Sequence, residues 1–231
     1  MSIDIITTPF EAELVLFADR ADAGRRLGHA LEQFRGSQPL ILAIPRGGVP
    51  VAAEVARMLG GDLDVIAVKR LHAPPTPDLV IGAVAADGAY YLNPETLDHD
   101  DGPDEDLDAE IGIRRAEAAE IESELRAGRM APSVKGRTVV IVDDGTATGS
   151  TMIAAARSVR ARGPHRLIVA VPVAPRATCE AMRKEADDVI CLNVPDSFIA
   201  IALHYRDYAP VPESDLGAML RSGERTSSAP D

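Results

Sequence analysis

Thr138–Ile153 reads TVVIVDDGTATGSTMI. An apolar run of strand length ends in two adjacent acids, Asp143 and Asp144. A loop of small residues follows, and then a helix begins. In open α/β sheets ligands bind at that edge. The loop Gly145-Thr146-Ala147-Thr148-Gly149-Ser150-Thr151 offers three threonine hydroxyls, one serine hydroxyl and exposed amides at a helix N-terminus, which favours a phosphate. No Lys precedes Ser150 or Thr151, so this is not a Walker A loop, and it does not spell GxGxxG. A nucleotide triphosphatase and a dinucleotide enzyme are disfavoured. Acids beside a phosphate loop repel the phosphate, so they need another purpose. Sugar hydroxyls donate hydrogen bonds to carboxylates, and a divalent cation can bind them. The constellation reads as a site for a phosphorylated sugar, with Mg²⁺ as a further candidate. An Asp that merely caps a helix explains one acid, but not the pair together with the hydroxyl-rich loop.

Around this stretch the chain alternates between strand and helix patterns. Residues 17–34 carry apolar residues at steps of three and four and predict an amphipathic helix. PLILAIPRGG predicts a buried strand and a tight loop, followed by a helix over Val51–Leu59 that Gly60-Gly61 stops. Leu63–Val68 reads as a strand ending at Lys69-Arg70. The three prolines near 71–80 predict a loop, and LVIGAVAADGAYYLN predicts two strands about an Asp87-Gly88 turn. Residues 95–110 hold nine acids and no Lys or Arg, which reads as a solvated turn or loop before a charged helix over 108–127. Beyond the central motif come a helix to about Arg162, a strand Leu167–Val173, a helix Arg176–Ala186 and a strand Asp188–Leu192. Continuous apolar strands alternating with helices predict an α/β fold with a mostly parallel sheet covered by helices. The expected domain spans 10–220, with an insertion over 94–135 and a disordered tail over 221–231.

Composition narrows the function. The 231 residues carry a net charge of −12, with 46% hydrophobic, 26% charged and 3% aromatic residues. An acid excess of this size without a basic patch argues against nucleic acid. No apolar run approaches ~18 residues, and no secretory leader is read at the N-terminus, so neither a membrane nor export is expected. Cys179 and Cys191 form no disulfide framework, which suits a reducing cytoplasm. The histidines show no metal-ligand spacing.

VVIVDDGTATGST resembles the signature of the type I phosphoribosyltransferases: four hydrophobic residues, two acids, a short turn and Thr-Gly-x-Thr. DRADAGRRL, IPRGGVPVA, VKRL, IGAVA and CLNVPDSFIAIALHYRDY are similar to a bacterial branch of that family. The resemblance implies a type I core with a helical insertion and a C-terminal hood. It implies that Asp143 and Asp144 hold the ribose 2- and 3-hydroxyls of phosphoribosyl pyrophosphate, and that Mg²⁺ meets these acids either directly or through those hydroxyls. Gly145, Thr146, Ala147, Thr148, Gly149, Ser150 and Thr151 would wrap the 5-phosphate. Arg46-Gly47-Gly48 matches the pyrophosphate loop, where a strained or cis peptide at Arg46 is implied. Either Lys69 or Arg70 could neutralise the leaving pyrophosphate, with a solvated strand end competing most strongly for Arg70; Arg46, Lys69 and the metal are assigned that role. The loop 71–80 would be a flexible lid. Phe198 and Tyr205, in the piece Val194–Tyr208, are acceptor-pocket candidates, and ordinary core packing competes for both. Relatives acting on 6-oxopurines carry an Asp where this chain has Ala147. Adenine-specific relatives draw an acid from the lid, where Asp78 is the candidate.

The implied activity is Mg²⁺-dependent transfer of phosphoribosyl to a small nitrogen acceptor, releasing pyrophosphate. Its main rival is a non-catalytic regulator that senses phosphoribosyl pyrophosphate. A phosphohydrolase or phosphorylase would need a water-activating base, and none stands out. The acceptor and the oligomeric state are left open, a homodimer included.

Overall fold

The computed structural model describes residues 16–73, 76–96 and 104–222. Five strands form a parallel sheet in the order β2-β1-β6-β7-β8: β1 (Leu40–Ala43), β2 (Asp62–Val65), β6 (Thr138–Val142), β7 (Arg166–Val173) and β8 (Asp188–Asn193). Three antiparallel strands form a separate ribbon, β3 (Val68–Ala73), β4 (Thr76–Ala85) and β5 (Tyr90–Leu92). The helices are α1 (Arg20–Ala30), α2 (Gly48–Leu59), α3 (Asp104–Arg126), α4 (Ser150–Ala161), α5 (Arg176–Met182) and α6 (Glu213–Ser222).

The continuous apolar strands are explained by burial on both faces of the main sheet. Ile41, Val140, Val142 and Ile168 pack to one side with Leu27, Val51 and Val55 from α1 and α2. Leu40, Val139, Ile141 and Val169 pack to the other side with Met152, Ile153 and Val159 from α4. From β1 the chain moves outward to β2, while β6 starts the opposite run to β7 and β8. The order therefore reverses between β1 and β6, and that switch point is where α/β sheets take ligands.

Several elements differ from the sequence expectation. The helix expected over 17–34 is α1, capped at Asp19, whose side chain accepts from the Asp22 amide at 2.7 Å. Phe17 instead makes a bridge with Tyr205. The strand expected over Leu63–Val68 stops at Val65. Lys69 and Arg70 lie near the start of β3, outside the parallel sheet. The expected 71–80 loop is largely a hairpin, because β4 pairs with both β3 and β5 and this pairing outweighs the proline punctuation. Pro77 falls where the β3–β4 register is irregular, between the Ala73–Thr76 and His72–Val80 pairs. The Asp87-Gly88 turn forms, with Gly88 at φ 93° and its amide donating to Ala85 O at 2.9 Å. Helix α3 begins at Asp104, so part of the acidic run is helical, while 97–103 lie outside the described residues. Helix α6 was not expected. It buries Leu216 and Leu220 against the α2 side of the core and takes in Arg221 and Ser222, placed in the tail above. Residues 223–231 lie outside the described residues.

Candidate active site

A cleft of about 530 Å³ opens at the switch point, between the loops that follow β1 and β6. Its floor is the acid pair, and the two acids differ. Asp144 is 5% exposed, and its carboxylate accepts from Arg20 Nε at 2.7 Å. Arg20 also donates to Ala209 O at 2.7 Å and stacks its guanidinium 3.9 Å from the Tyr208 ring centroid. The Tyr205 hydroxyl donates to the Asp144 carbonyl at 2.6 Å. Burial opposes the Arg20 charge, but the hydrogen bond and charge of Asp144 outweigh it, so its pKa is raised. The Tyr208 phenol is pushed up to about 12 by burial and then by the Asp144 charge. Gly47 leaves the space that Asp144 occupies, since a Cβ there would strike the carboxylate.

Asp143 faces the cleft without such a partner. Its Oδ1 accepts the Asp144 amide at 2.8 Å. Burial pushes its carboxyl well above the usual range, and the neighbouring Asp144 charge adds to the shift, while Arg20 and Arg70 work against it.

The loop after the acids is internally organised. The Thr146 amide donates to Val173 O at 3.0 Å, and Thr146 Oγ1 accepts from the Gly149 amide at 3.1 Å. Thr178 Oγ1 holds the Ala147 carbonyl at 2.5 Å. Thr148 Oγ1 and Ser150 Oγ lie 3.1 Å apart. The amides of Ala147 and Thr148 meet no acceptor among the described residues. They sit beside the N-terminus of α4, so unpaired donors and the positive helix end face one opening.

Residues 20–209 match the family model described as a phosphoribosyl transferase domain. The chain belongs to this family. Two curated Mycobacterium tuberculosis sequences, named provisionally as phosphoribosyl transferases, are each 38% identical over 213 residues. That match covers 91% of this chain and 47% of each relative, so the chain spans about half their length. A crystal structure of the Thermus thermophilus protein TT1426 is 40% identical, with a TM-score of 0.75, covering 89% of this chain and 97% of that one.

Within this phosphoribosyl transferase domain, the cleft gathers Gly47, Asp143, Asp144, Gly145, Thr146, Ala147, Thr148, Ser150 and Thr151. Gly48 packs behind it, where a Cβ would meet Val142 O at 2.6 Å, and Gly149 precedes α4 at φ 78°. The Pro45–Arg46 peptide is cis, as the resemblance implied. The exposed Arg46 side chain is not among the residues that line the cleft, and it pairs with the equally exposed Glu213 of α6 at 3.0 Å. Lys69 pairs with Glu117 of α3 at 2.9 Å, whereas Arg70 lines the cleft. Asp78 is exposed on β4, whose contribution to the cleft wall is Val80. Tyr205 is a buried pillar, 5.3 Å from the Phe17 ring centroid and 5.1 Å from that of Tyr208. Phe198 stacks on buried His204 at 5.7 Å and does not line the cleft; Ile201 and Tyr208 do. Arg20 and Tyr208 were missed as site residues. The DRADAGRRL resemblance contained Arg20, but nothing local pointed it at an acid 124 positions away.

Proposed function

We propose that this domain binds phosphoribosyl pyrophosphate in the cleft and transfers its phosphoribosyl group to a small nitrogen acceptor, releasing pyrophosphate. The supporting observation is the juxtaposition of the Asp143 carboxylate with the unpaired amides of Ala147 and Thr148 at the α4 N-terminus. The amides and loop hydroxyls would take the 5-phosphate. Asp143 would accept the ribose hydroxyls and stabilise positive charge on the ribose ring. Asp144, held by Arg20, would keep the floor in place. Arg70, which has no ion-pair partner among the described residues, would draw charge from the departing pyrophosphate. The bond from ribose carbon to pyrophosphate oxygen breaks, the bond to acceptor nitrogen forms, and the acceptor's proton leaves.

Mg²⁺ fits as a passenger of the donor. No group of three or more His, Cys, Asp or Glu among the described residues could cage a metal. Mg²⁺ commonly binds through one or two carboxylates plus substrate phosphates, and Asp143 is the carboxylate free to meet it. When bound it supplies charge neutralisation to the pyrophosphate. The chain would work as a cytoplasmic enzyme, a reading that rests on Cys179 and Cys191 being free thiols.

The test is calorimetric titration with phosphoribosyl pyrophosphate and Mg²⁺, followed by a pyrophosphate-release screen over free nucleobases. Binding with turnover of one acceptor supports transfer. Binding with no turnover of any acceptor favours the sensor, and no binding refutes both.

A further inference from the structure

Strand β3 is the edge of its ribbon, so its outer side has no strand partner. Natural edges are usually blunted or covered. Here α3 lies alongside and places three carboxylates on β3 and on the residue just before it. Glu122 Oε1 accepts the Ala67 amide at 2.9 Å, Glu117 Oε2 pairs with Lys69 Nζ at 2.9 Å, and Glu110 Oε1 accepts the His72 amide at 3.2 Å. His72 Nδ1 lies 3.5 Å from that same Glu110 oxygen. As the strand number rises the helix number falls, so the two run antiparallel. Their lengths agree: twelve helical residues rise ~18 Å and five extended residues ~17 Å.

The carboxylates are fixed in turn. Arg114 bridges Glu110 at 2.8 Å and Glu117 at 3.0 Å. Arg126 holds Glu122 at 2.6 Å and also Asp64 of β2 at 2.9 Å, which ties the helix to the main sheet. Leu107 and Ile111 pack under the ribbon against Leu71 and Ile81. These acids are therefore not a solvated face.

Lys69 and Arg70 are consecutive in an extended strand, so they point to opposite sides. Lys69 meets α3 and Arg70 meets the cleft. Whatever fixes the roll of β3 at Lys69 also fixes where Arg70 stands. We propose that α3 is a brace for β3, with Glu110 and Glu117 as positioning residues that set Arg70 toward the donor's pyrophosphate. The ligand half of this statement rests on the functional reading above; the brace itself does not. Lys69 becomes a tether rather than a ligand contact.

The test uses the full chain and the double variant Glu110→Ala/Glu117→Ala, with hydrogen exchange on residues 67–73. Calorimetry with Mg²⁺ then compares phosphoribosyl pyrophosphate, inorganic pyrophosphate and ribose 5-phosphate. The His72 amide should exchange roughly tenfold faster or more. Affinity for both pyrophosphate ligands should fall by roughly three- to fivefold, and that for ribose 5-phosphate should stay level. In a cycle of Lys69→Met and Glu117→Ala, the double variant should bind no worse than the weaker single. Unchanged exchange would overturn the brace. Equal loss for all three ligands would overturn the link to Arg70. Lys69→Met far weaker than Glu117→Ala would make Lys69 a ligand contact and overturn its tether role. If the wild type bound none of the ligands, the functional reading would fall with the ligand half, and exchange would still decide the brace.

Discussion

Asp143 and Asp144 are neighbours in sequence with different surroundings. Asp144 is sealed under Arg20 and Tyr208, while Asp143 is held in the cleft with its carboxyl pushed up by burial and by Asp144. A carboxyl whose pKa is higher in the folded than in the unfolded chain makes the native state the better proton binder. Stability then falls as pH rises from the unfolded value of about 4 through the folded one. Asp143→Asn lacks that slope and keeps an oxygen to accept the Asp144 amide. Metal-free thermal melts should show the variant more stable than wild type by about 1 kcal/mol near neutral pH, with the gap closing toward pH ~4. Donor affinity should drop roughly tenfold or more. A variant less stable at neutral pH would contradict the account of Asp143. The acid pair and its loop could be read from the sequence because they are contiguous. Arg20 and Tyr208 could not, because a buried ion pair between distant segments leaves no local pattern.

At the level of elements, the parallel strands and most helices follow from apolar runs and small-residue punctuation, which are local properties. The helix α3 and the β4–β5 turn were expected, whereas the β3–β4 hairpin was misread because its partners are remote. Prolines suggested a loop until β4 found strands on both sides, and the run 95–110 was read as solvated although Glu110, at its end, accepts the His72 amide of β3. The short α6 went unread, although Glu213 and Asp215 in its first turn are ordinary start signals. Two predictions belong here. Arg70→Gln should weaken binding of phosphoribosyl pyrophosphate roughly tenfold, well beyond the effect of Arg46→Gln, because Arg70 lines the cleft and Arg46 does not. Titration of both variants decides, and a larger loss for Arg46→Gln would reverse the assignment. Gly48→Ala should cost about 1–3 kcal/mol in denaturant unfolding, since its Cβ would press on the Val142 carbonyl and the Asp143 backbone, which cannot swing aside. A cost near zero would mean that α2 and β6 can separate without strain.

For the molecule as a whole, the decisive feature is what the cleft does not place beside the acceptor. A ring nitrogen that attacks the ribose carbon must lose a proton, which a nearby base assists, and the resemblance implies an Asp within the phosphate loop for acceptors of the 6-oxopurine type. Ala147 stands at that place and cannot accept one. Asp78, the acid that a lid would have offered, is exposed on β4 and does not line the cleft. Asp144 is paired with Arg20, which leaves Asp143 as the cleft-wall carboxylate without an ion pair, and under the proposed function the ribose hydroxyls would compete for it. The C-terminal wall adds Ile201 and Tyr208, and the Tyr208 phenol, pushed up to about 12, stays protonated at neutral pH and acts as a donor. Hypoxanthine and guanine should therefore be poor acceptors, roughly a hundredfold or more below the best one found. Steady-state pyrophosphate release with hypoxanthine, guanine, adenine, uracil and orotate tests this. Efficient turnover of either 6-oxopurine would show that the cleft recruits a base from elsewhere. Asp78→Asn should leave the best acceptor's kcat unchanged, and a large drop would bring Asp78 back into the mechanism.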